Sequence, residues 1–346
     1  MINNSNVLVV GGAGFVGSNL VKLILRSNSS NKITVIDNLL SSEKENLVDS
    51  ENLTFIEGSI TDDNILKQVE DEYDYIFQLA TFHGNQSSIA DPVADIENNT
   101  MTSVKLLQHI KSFVYLKKYV YSSAGCSVAK KTFGLAKATK EDDPITLDQD
   151  SPYSISKISG EFYCVYFHKQ FNVPTVRARF QNVYGPGEVL GAGKWRGTNA
   201  TIWRNVVPVF VYKAISGLDL PLHDGGASTR DFIFVEDVCR GLIACAIDGT
   251  PGDVYNLASG NEISIKELAI KICEVSESTS EIDLLPRREW DTSGKRFGDG
   301  NKAREQLRFE CETSFNEGIQ RTVLWTRENL NSIEKCINKH EPEAHI

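Results

Sequence analysis

A glycine-rich turn near the start of the chain places the tightest limit on its fold. Residues 11–17 read GGAGFVG. A short β-branched run, Val7 to Val10, comes before them, and Ser18 to Arg26 after them carries apolar residues at helical spacing. The turn satisfies GxGxxG from residue 12 and also GxxGxxG from residue 11. Such a turn between a strand and a helix is typical of a dinucleotide-binding unit.

The missing side chains at Gly11, Gly14 and Gly17 let the backbone approach a pyrophosphate, whose charge is stabilised at the N-terminus of the following helix. The next apolar run ends in Asp37, about 20 residues further on, where an acid bonds the ribose 2′-hydroxyl. Because this acid would repel a 2′-phosphate, the sequence predicts NAD rather than NADP. A tight turn without a ligand is the alternative, and Asp37 argues against it.

Strand-like and helical segments alternate through the first half of the chain. Further apolar runs occur at 33–36, 53–56, 75–79, 118–121 and 175–180, with helical stretches at 96–113 and 156–170 between them. This alternation predicts an α/β fold, a Rossmann-type doubly wound parallel sheet. Residues 185–205, rich in Gly and Trp, predict a binding loop. Helices predicted at 263–275 and 315–330 belong to a smaller, mixed α/β C-terminal lobe.

The length of 346 residues fits about two domains at the usual 100–200 residues each. We expect residues 1–180, with 231–258 returning to the sheet, to form the NAD-binding Rossmann domain. Residues 181–230 and 259–346 are expected to form the substrate-binding lobe.

Charge and cysteine usage limit the partners. Lys and Arg number 36 against 46 Asp and Glu, with the signs mixed along the chain, so nucleic acid is not expected as a partner. The first ten residues carry no basic segment, and their apolar run is only four residues long, so neither a signal peptide nor a membrane span is predicted. The seven cysteines form no CxxC pair, which favours reduced thiols and a cytoplasmic location. No metal is expected.

A second motif, YSISK, places Tyr153 and Lys157 four residues apart on a predicted helix, and therefore on one face. A nearby ammonium favours the phenolate, so a tyrosine in this setting can act as a base near neutral pH. Alone, such a pair is more often a surface contact. Its position after a dinucleotide-binding half favours catalysis.

Several motifs in order resemble the extended short-chain dehydrogenase/reductase family, in its nucleotide-sugar epimerase/dehydratase branch that includes UDP-glucose 4-epimerase. The resemblance runs almost from end to end of the chain. The motifs are GGAGFVG, Asp37-Asn38, QLAT at 78–81, YSSA at 121–124, YSISK, RFQNVYGPG at 179–187 and STRDFIFVEDV at 228–238.

The resemblance implies a role for each matched position, and a homodimer formed through the helices around 96–113 and 156–170. Ser123 would complete a catalytic triad with Tyr153 and Lys157, since its hydroxyl can hold the sugar oxygen or relay its proton. The implied cofactor contacts are Gly11, Gly14, Phe15, Val16, Gly17, Asp37, Asn38, Ser59, Ile60, Leu79, Ala80, Thr81, Tyr153 and Lys157. The implied substrate contacts are Asn182, Asn205, Arg230, Arg288 and Arg296, with Arg287 as a further diphosphate candidate.

Departures from the family pattern bear on the reaction. Ser59 stands where the family often has Asp, so the usual carboxylate contact to adenine is missing there. The lysine that 4-epimerases place near the nicotinamide appears as His83. After the catalytic hydroxyl, 4,6-dehydratases carry Asp-Glu and decarboxylases keep the Glu, but this chain has Ala124 and Gly125. Neither can transfer a proton, so dehydration and decarboxylation through that motif are disfavoured.

The sequence therefore predicts an NAD-dependent 4-epimerase acting on a nucleoside-diphosphate sugar, with transient oxidation at C4. The first alternative resembles GDP-mannose 3,5-epimerase, with Cys126 and Lys194 as the nearest candidates for its cysteine and lysine. A 4-keto reductase or dehydrogenase comes next. A non-catalytic NAD-binding regulator is the alternative from a different class, and it would not need the triad.

Overall fold

The computed structural model describes residues 1–125, 134–188, 193–288 and 294–340. In chain order its strands are Asn6–Val10 (β1), Lys32–Asp37 (β2), Leu53–Glu57 (β3), Tyr75–Gln78 (β4), Lys118–Ala124 (β5), Thr175–Phe180 (β6), Asn182–Tyr184 (β7), Leu220–His223 (β8), Thr229–Arg230 (β9), Phe232–Phe234 (β10), Val254–Leu257 (β11), Ile263–Ser264 (β12) and Ile282–Leu285 (β13). Strands β1 to β6 and β11 form one sheet whose pairings are all parallel. The predicted Rossmann-type parallel sheet is confirmed.

Helices cover both faces of the sheet and continue into the C-terminal part. They are Phe15–Ser27 (α1), Asp63–Leu66 (α2), Asn85–Ala90 (α3), Pro92–Asp95 (α4), Met101–Ile110 (α5), Pro152–Phe171 (α6), Val206–Ile215 (α7), Val235–Asp248 (α8), Ile265–Ser276 (α9), Asn301–Leu307 (α10), Phe315–Glu328 (α11) and Leu330–Asn338 (α12). Within the described ranges, none of them is long and apolar enough to span a bilayer.

The strand order β3-β2-β1-β4-β5-β6-β11 reverses direction between β1 and β4. In doubly wound sheets, ligands bind in the crevice beyond the carboxyl ends of the strands at this reversal. The strands carry fully buried apolar side chains, such as Val7 and Leu8 in β1 and Ile76 and Phe77 in β4, because helices cover both faces. The sheet therefore holds the ends of β1, β4 and β5 rigidly around one crevice.

Several predicted helices begin or end differently in the structure: the stretch predicted as 96–113 is a π-helical turn, Ile96–Thr100, followed by α5, and the helix predicted as 156–170 begins at Pro152. The helix predicted from Ile263 begins at Ile265, because Ile263 and Ser264 pair with β9 and the Ser264 side chain caps the helix by accepting from the Glu267 amide. The helix predicted as 315–330 ends at Glu328, and a separate helix follows. The predicted loop 185–205 contributes residues to the crevice, but its positions 189–192 lie outside the described residues.

Candidate active site

A cavity of about 740 Å³ lies at the carboxyl ends of β1, β2, β4 and β5. All the site residues predicted for the triad, the cofactor and the substrate line it. They are Gly11, Gly14, Phe15, Val16, Gly17, Asp37, Asn38, Ser59, Ile60, Leu79, Ala80, Thr81, Ser123, Tyr153, Lys157, Asn182, Asn205, Arg230, Arg288 and Arg296. The fold thus brings together residues that are up to 285 positions apart in the sequence, counted from Gly11 to Arg296.

The glycine turn leaves backbone room that side chains would fill. Gly11 has φ +82°, and a Cβ there would lie 2.4 Å from the Ala80 nitrogen; a Cβ on Gly17 would lie 2.3 Å from the Gly11 oxygen. Gly14 caps α1 in an extended conformation, so the first turn of α1 borders the cavity with its unbonded amides. Free amides and the helix dipole suit a diphosphate, so this cradle fits NAD.

Asp37 ends β2 with its carboxylate fixed by the protein. Its Oδ2 accepts from the Ala13 amide at 3.0 Å, and its Oδ1 accepts from the Leu39 amide and the Ser42 hydroxyl, both at 2.9 Å. Burial raises the pKa of Asp37, while these three hydrogen bonds and the charge of Arg204 oppose the rise. The carboxylate is held on the cavity wall, where its remaining lone pairs can accept from ribose hydroxyls.

Tyr153 and Lys157 lie one turn apart near the start of α6. This helix begins where the Ser151 side chain accepts from the Ser154 amide and Pro152 takes the first helical position. Lys157 Nζ donates to the Ser122 carbonyl at 2.9 Å and lies 5.7 Å from the centroid of the Tyr153 ring. Lys157 as a whole residue is only 3% exposed. Water therefore screens its ammonium charge weakly, and the charge acts strongly on Tyr153.

Ser123, near the end of β5, donates its hydroxyl hydrogen to Glu161 Oε1 at 2.5 Å. Glu161 also accepts from Arg179 Nε at 2.8 Å and from Arg179 Nη2 at 2.9 Å, in a bidentate pair. Burial raises the pKa of Glu161, but the Arg179 bonds and charge outweigh it, so the net shift is downward. With its hydrogen donated to a carboxylate, Ser123 meets the cavity as a hydrogen-bond acceptor.

Sequence reasoning missed Glu161 as a site residue, although a signal was present. Tyr153, Lys157 and Glu161 are spaced i, i+4 and i+8, which places all three on one face of α6. What the sequence does not contain is the long-range contact that brings Ser123 and Arg179 to that face.

His83 is a second residue whose contact was not predicted. Its ring lies edge-on to Tyr153 with 5.7 Å between the ring centroids. Burial, then the charges of Arg204, Arg196 and Lys157, lowers the pKa of His83 to about 3, so the imidazole is neutral. Its Nδ1 is shielded from solvent and has no hydrogen-bond partner among the described residues. His83 lines the cavity beside the tyrosine and can donate or accept there, but it carries no positive charge.

Asn205 also lines the cavity and is the N-cap residue of α7, so a second helix N-terminus borders the cavity. Arg230 donates to the Thr229 and Gly294 carbonyls at 2.7 and 2.8 Å, and Arg296 lies 3.5 Å from Asp150. Arg288 is exposed at the rim. Among the alternatives, Arg287 and the exposed Lys194 do not line the cavity, and Cys126 lies outside the described residues.

A doubly wound parallel sheet, a glycine cradle at its switch point and a Tyr–Lys pair on a cavity-lining helix define a dinucleotide-dependent enzyme of the short-chain dehydrogenase/reductase class. The model of the NAD-dependent epimerase/dehydratase family matches residues 7–258, and the chain belongs to that family. Its cofactor is NAD.

Solved structures and curated proteins show how widely this architecture is used. The enzyme WbmF from Bordetella bronchiseptica, solved with NAD+ and UDP, is 58% identical, with a TM-score of 0.89 over 98% of this chain and 97% of that one. The epimerase Mth375 from Methanothermobacter thermautotrophicus is 38% identical, with a TM-score of 0.86 over 96% and 94%. A UDP-N-acetyl-alpha-D-glucosaminuronate decarboxylase from Bacillus cytotoxicus is 27% identical over 94% of this chain and 98% of its own length. The relatives therefore include more than one reaction type.

Proposed function

We propose that this enzyme is an NAD-dependent nucleotide-sugar 4-epimerase, an isomerase, and that its substrate is a UDP-sugar. The observation that carries the proposal is the pair of residues after Ser123. Ala124 lines the cavity and Gly125 packs against Gln181, so neither position offers an acid or base. A dehydratase or decarboxylase using this motif needs a carboxyl group there. The WbmF neighbour, solved with UDP, supports a uridine nucleotide.

The substrate diphosphate would lie at the N-terminus of α7. Asn205 at the N-cap and the guanidinium of Arg230 supply hydrogen bonds and charge on the cavity wall. Arg288 and Arg296 line the cavity and can complete the binding. Binding at this end leaves the sugar to reach Tyr153.

Tyr153, as the phenolate, takes the proton of the C4 hydroxyl. Lys157 stabilises the phenolate and is itself held by the Ser122 carbonyl, so its ammonium cannot swing away from the tyrosine. NAD, held by the glycine cradle and Asp37, supplies the hydride acceptor and donor for C4 when bound. Tyr153 returns the proton after the keto sugar has rotated, and the opposite configuration results with no net redox change.

The test is an incubation of the enzyme with UDP-, GDP-, CDP- and dTDP-sugars in D2O without added cofactor, followed by proton NMR. A 4-epimerase gives the C4 epimer with no deuterium at C3, C4 or C5, because the C4 hydrogen never becomes an exchangeable proton. Deuterium at C3 or C5 would instead require removal of carbon-bound protons and would refute the proposed reaction. If Cys126→Ala then abolished the deuterium incorporation, Cys126 would be the residue that exchanges these protons, as in the 3,5-epimerase mechanism.

The proposed assembly is a homodimer. Large apolar side chains stay exposed on the helices from residue 85 to 110 and on α6, including Val93, Ile96, Phe162 and Tyr166 at 50–65% exposure. Such a patch on neighbouring helices is typical of a protein interface, and the family resemblance supports a second copy of this chain as the partner. We also propose the division into an NAD-binding unit, 1–180 with 231–258, and a nucleotide-sugar-binding lobe, 181–230 and 259–346.

A further inference from the structure

Gln181 follows β6 in the chain and lies beside the residues that follow β5. The two strands pair in parallel with Ala124 opposite Phe180, so Gly125 and Gln181 come next on neighbouring chains at the carboxyl edge of the sheet. Ser123 is only two residues from Gly125, which limits the distance between their Cα atoms to about 7 Å. Gln181 therefore lies close to the catalytic triad.

The carboxamide of Gln181 occupies a slot between two glycines. A Cβ on Gly125 would lie 2.2 Å from its Nε2, and a Cβ on Gly298 would lie 2.6 Å from the same atom. A side chain at either position would therefore displace the amide. Gly298 is held in turn, because its backbone amide donates to Asp231 Oδ2 at 3.2 Å. Two missing side chains thus determine where this carboxamide lies.

The carboxamide has hydrogen-bonding capacity that the protein does not use. Gln181 is half-buried and lines the cavity. In the ranges that the structure describes, its Oε1 and Nε2 bond to no protein group, yet neither atom is sealed off from solvent. By contrast, two other cavity amides are engaged, since Asn85 Oδ1 accepts from the Ser151 hydroxyl and Asn98 Nδ2 donates to the Ala94 carbonyl. A ligand in the cavity can therefore use both the donor and the acceptor of Gln181.

We propose that Gln181 is a specificity-determining residue whose carboxamide hydrogen-bonds a neutral polar substituent of the substrate's sugar ring, a hydroxyl or an acetamido group. The inference deepens the proposed function and rests on it for the sugar nucleotide. Strands β4 and β5 separate β6 from β1, so about 14 Å of sheet lie between Gln181 and the glycine turn that suits the NAD diphosphate. A carboxamide both donates and accepts, which matches a hydroxyl or an amide, whereas a diphosphate needs donors and positive charge.

The test compares UDP with UDP-glucose and UDP-N-acetylglucosamine, each titrated by calorimetry into the NAD-loaded protein. A Tyr153→Phe parent prevents turnover during the titration. Gln181→Met keeps the length of the side chain but removes its hydrogen bonds. It should weaken at least one UDP-sugar by about fivefold or more, because a sugar group is left without a partner, and change UDP by less than about twofold.

The two UDP-sugars identify the substituent. A loss with both sugars assigns the contact to a hydroxyl that both carry. A loss with only one of them assigns it to the group that distinguishes them, the C2 hydroxyl of UDP-glucose or the acetamido group of UDP-N-acetylglucosamine.

Gly125→Ala tests the slot without altering the amide itself. It should displace the carboxamide and weaken the same UDP-sugar by about fivefold or more. In a Gln181→Ala protein there is no carboxamide to displace, so adding Gly125→Ala should change the affinity by less than about twofold. This non-additivity is expected only if the two residues act through their contact.

Gln306→Met is the matched control. The carboxamide of Gln306, on α10, accepts from the Tyr255 hydroxyl at 3.0 Å, and this residue does not line the cavity. The same replacement there should leave all three affinities within about twofold of the parent. If circular dichroism shows that Gln181→Met fails to fold, Gln181→Leu takes its place with the same expectation.

Four results would overturn the inference. They are unchanged affinity for both UDP-sugars in Gln181→Met, an equal loss for UDP and the UDP-sugars, loss of bound NAD, and effects of Gly125→Ala and Gln181→Ala that simply multiply. A parent that binds UDP but neither UDP-sugar would overturn it as well. Epimerisation is measured separately with Tyr153 intact. A protein that shows the expected binding pattern but does not epimerise would refute the proposed reaction and leave this inference standing.

Discussion

Gly11→Ala isolates the contribution of the glycine cradle to cofactor binding. Gly11 has φ +82°, a conformation that costs an L side chain about 1–2 kcal/mol. A Cβ there would also lie 2.4 to 2.8 Å from three backbone atoms of Leu79 and Ala80. Backbone cannot rotate away as a side chain can, so overpacking adds about 1–3 kcal/mol. The expected decrease in the free energy of unfolding is therefore about 2–5 kcal/mol. The distortion that causes it lies where the diphosphate must approach.

Gly197→Ala is the matched control. Gly197 has the same φ, +82°, but a Cβ there would meet nothing within 4 Å, so only the conformational cost of about 1–2 kcal/mol applies. For 346 residues, an unfolding entropy of about 2.1 cal/mol/K per residue makes 1 kcal/mol equal to about 1.4 °C in Tm. The expected decreases are about 3–7 °C for Gly11→Ala and about 1.5–3 °C for Gly197→Ala.

Two measurements check this prediction: thermal unfolding followed by circular dichroism, and NAD content after gel filtration, read from absorbance of the denatured supernatant. Gly11→Ala should lose NAD, while Gly197→Ala should retain it. If the Tm falls by the same amount in both variants and both keep NAD, the close approach of Gly11 to the backbone after β4 does not shape the cofactor site, and the reasoning is refuted.

Three further predictions concern catalysis, stability and assembly. Tyr153→Phe should lower kcat by about 10²–10⁴ with NAD still bound, and near wild-type turnover would remove this hydroxyl from the mechanism. In urea unfolding, Glu161→Gln should lower the free energy of unfolding by about 3–5 kcal/mol, because it breaks a buried ion pair with Arg179. Glu236→Gln, which breaks a surface ion pair with Arg321, should lower it by less than about 1 kcal/mol. Equal decreases in the two variants would contradict this prediction. In sedimentation, Phe162→Asp should give monomers and Leu147→Asp, at an exposed site away from the helices, should not; a dimeric Phe162→Asp protein would place the interface elsewhere.

The parts of the fold that sequence could predict are those fixed by local chemistry. The turn after β1 needs glycines because of a positive φ at Gly11 and a backbone contact at Gly17, and both requirements leave a direct trace in the residue types. Strands β1 and β2 are rich in β-branched and apolar residues because helices cover both faces of the sheet, so they can be recognised from the sequence alone. The position of Asp37 could be predicted in the same way, because it is the last residue of the second of these strands.

The contacts that the sequence could not predict are long-range, and they depend on which helix face packs against which part of the sheet or loop. Glu161 was visible as a periodic partner of Lys157, but its bond to Ser123 depends on how α6 packs against β5. Similarly, nothing in the sequence shows that the Asn19 side chain on α1 donates to the Pro186 carbonyl at 3.2 Å and so ties the loop after β7 to α1. The start of α9 was misplaced by two residues because pairing of Ile263 with Arg230 overrides its helical spacing.

The hydrogen bond from Ser123 to Glu161 limits which roles Ser123 and Tyr153 can take in the proposed reaction. The C4 hydroxyl has one hydrogen, and the proposed chemistry gives it to the phenolate of Tyr153. Ser123 donates its own hydrogen to Glu161, whose lowered pKa keeps it an anionic acceptor, so in this geometry Ser123 cannot also donate to the C4 oxygen. It can accept from a different sugar hydroxyl, such as the neighbour of C4. In the proposed reaction, Tyr153 then carries the proton transfer alone, while Ser123, fixed by Glu161 and Arg179, would orient the sugar ring for it.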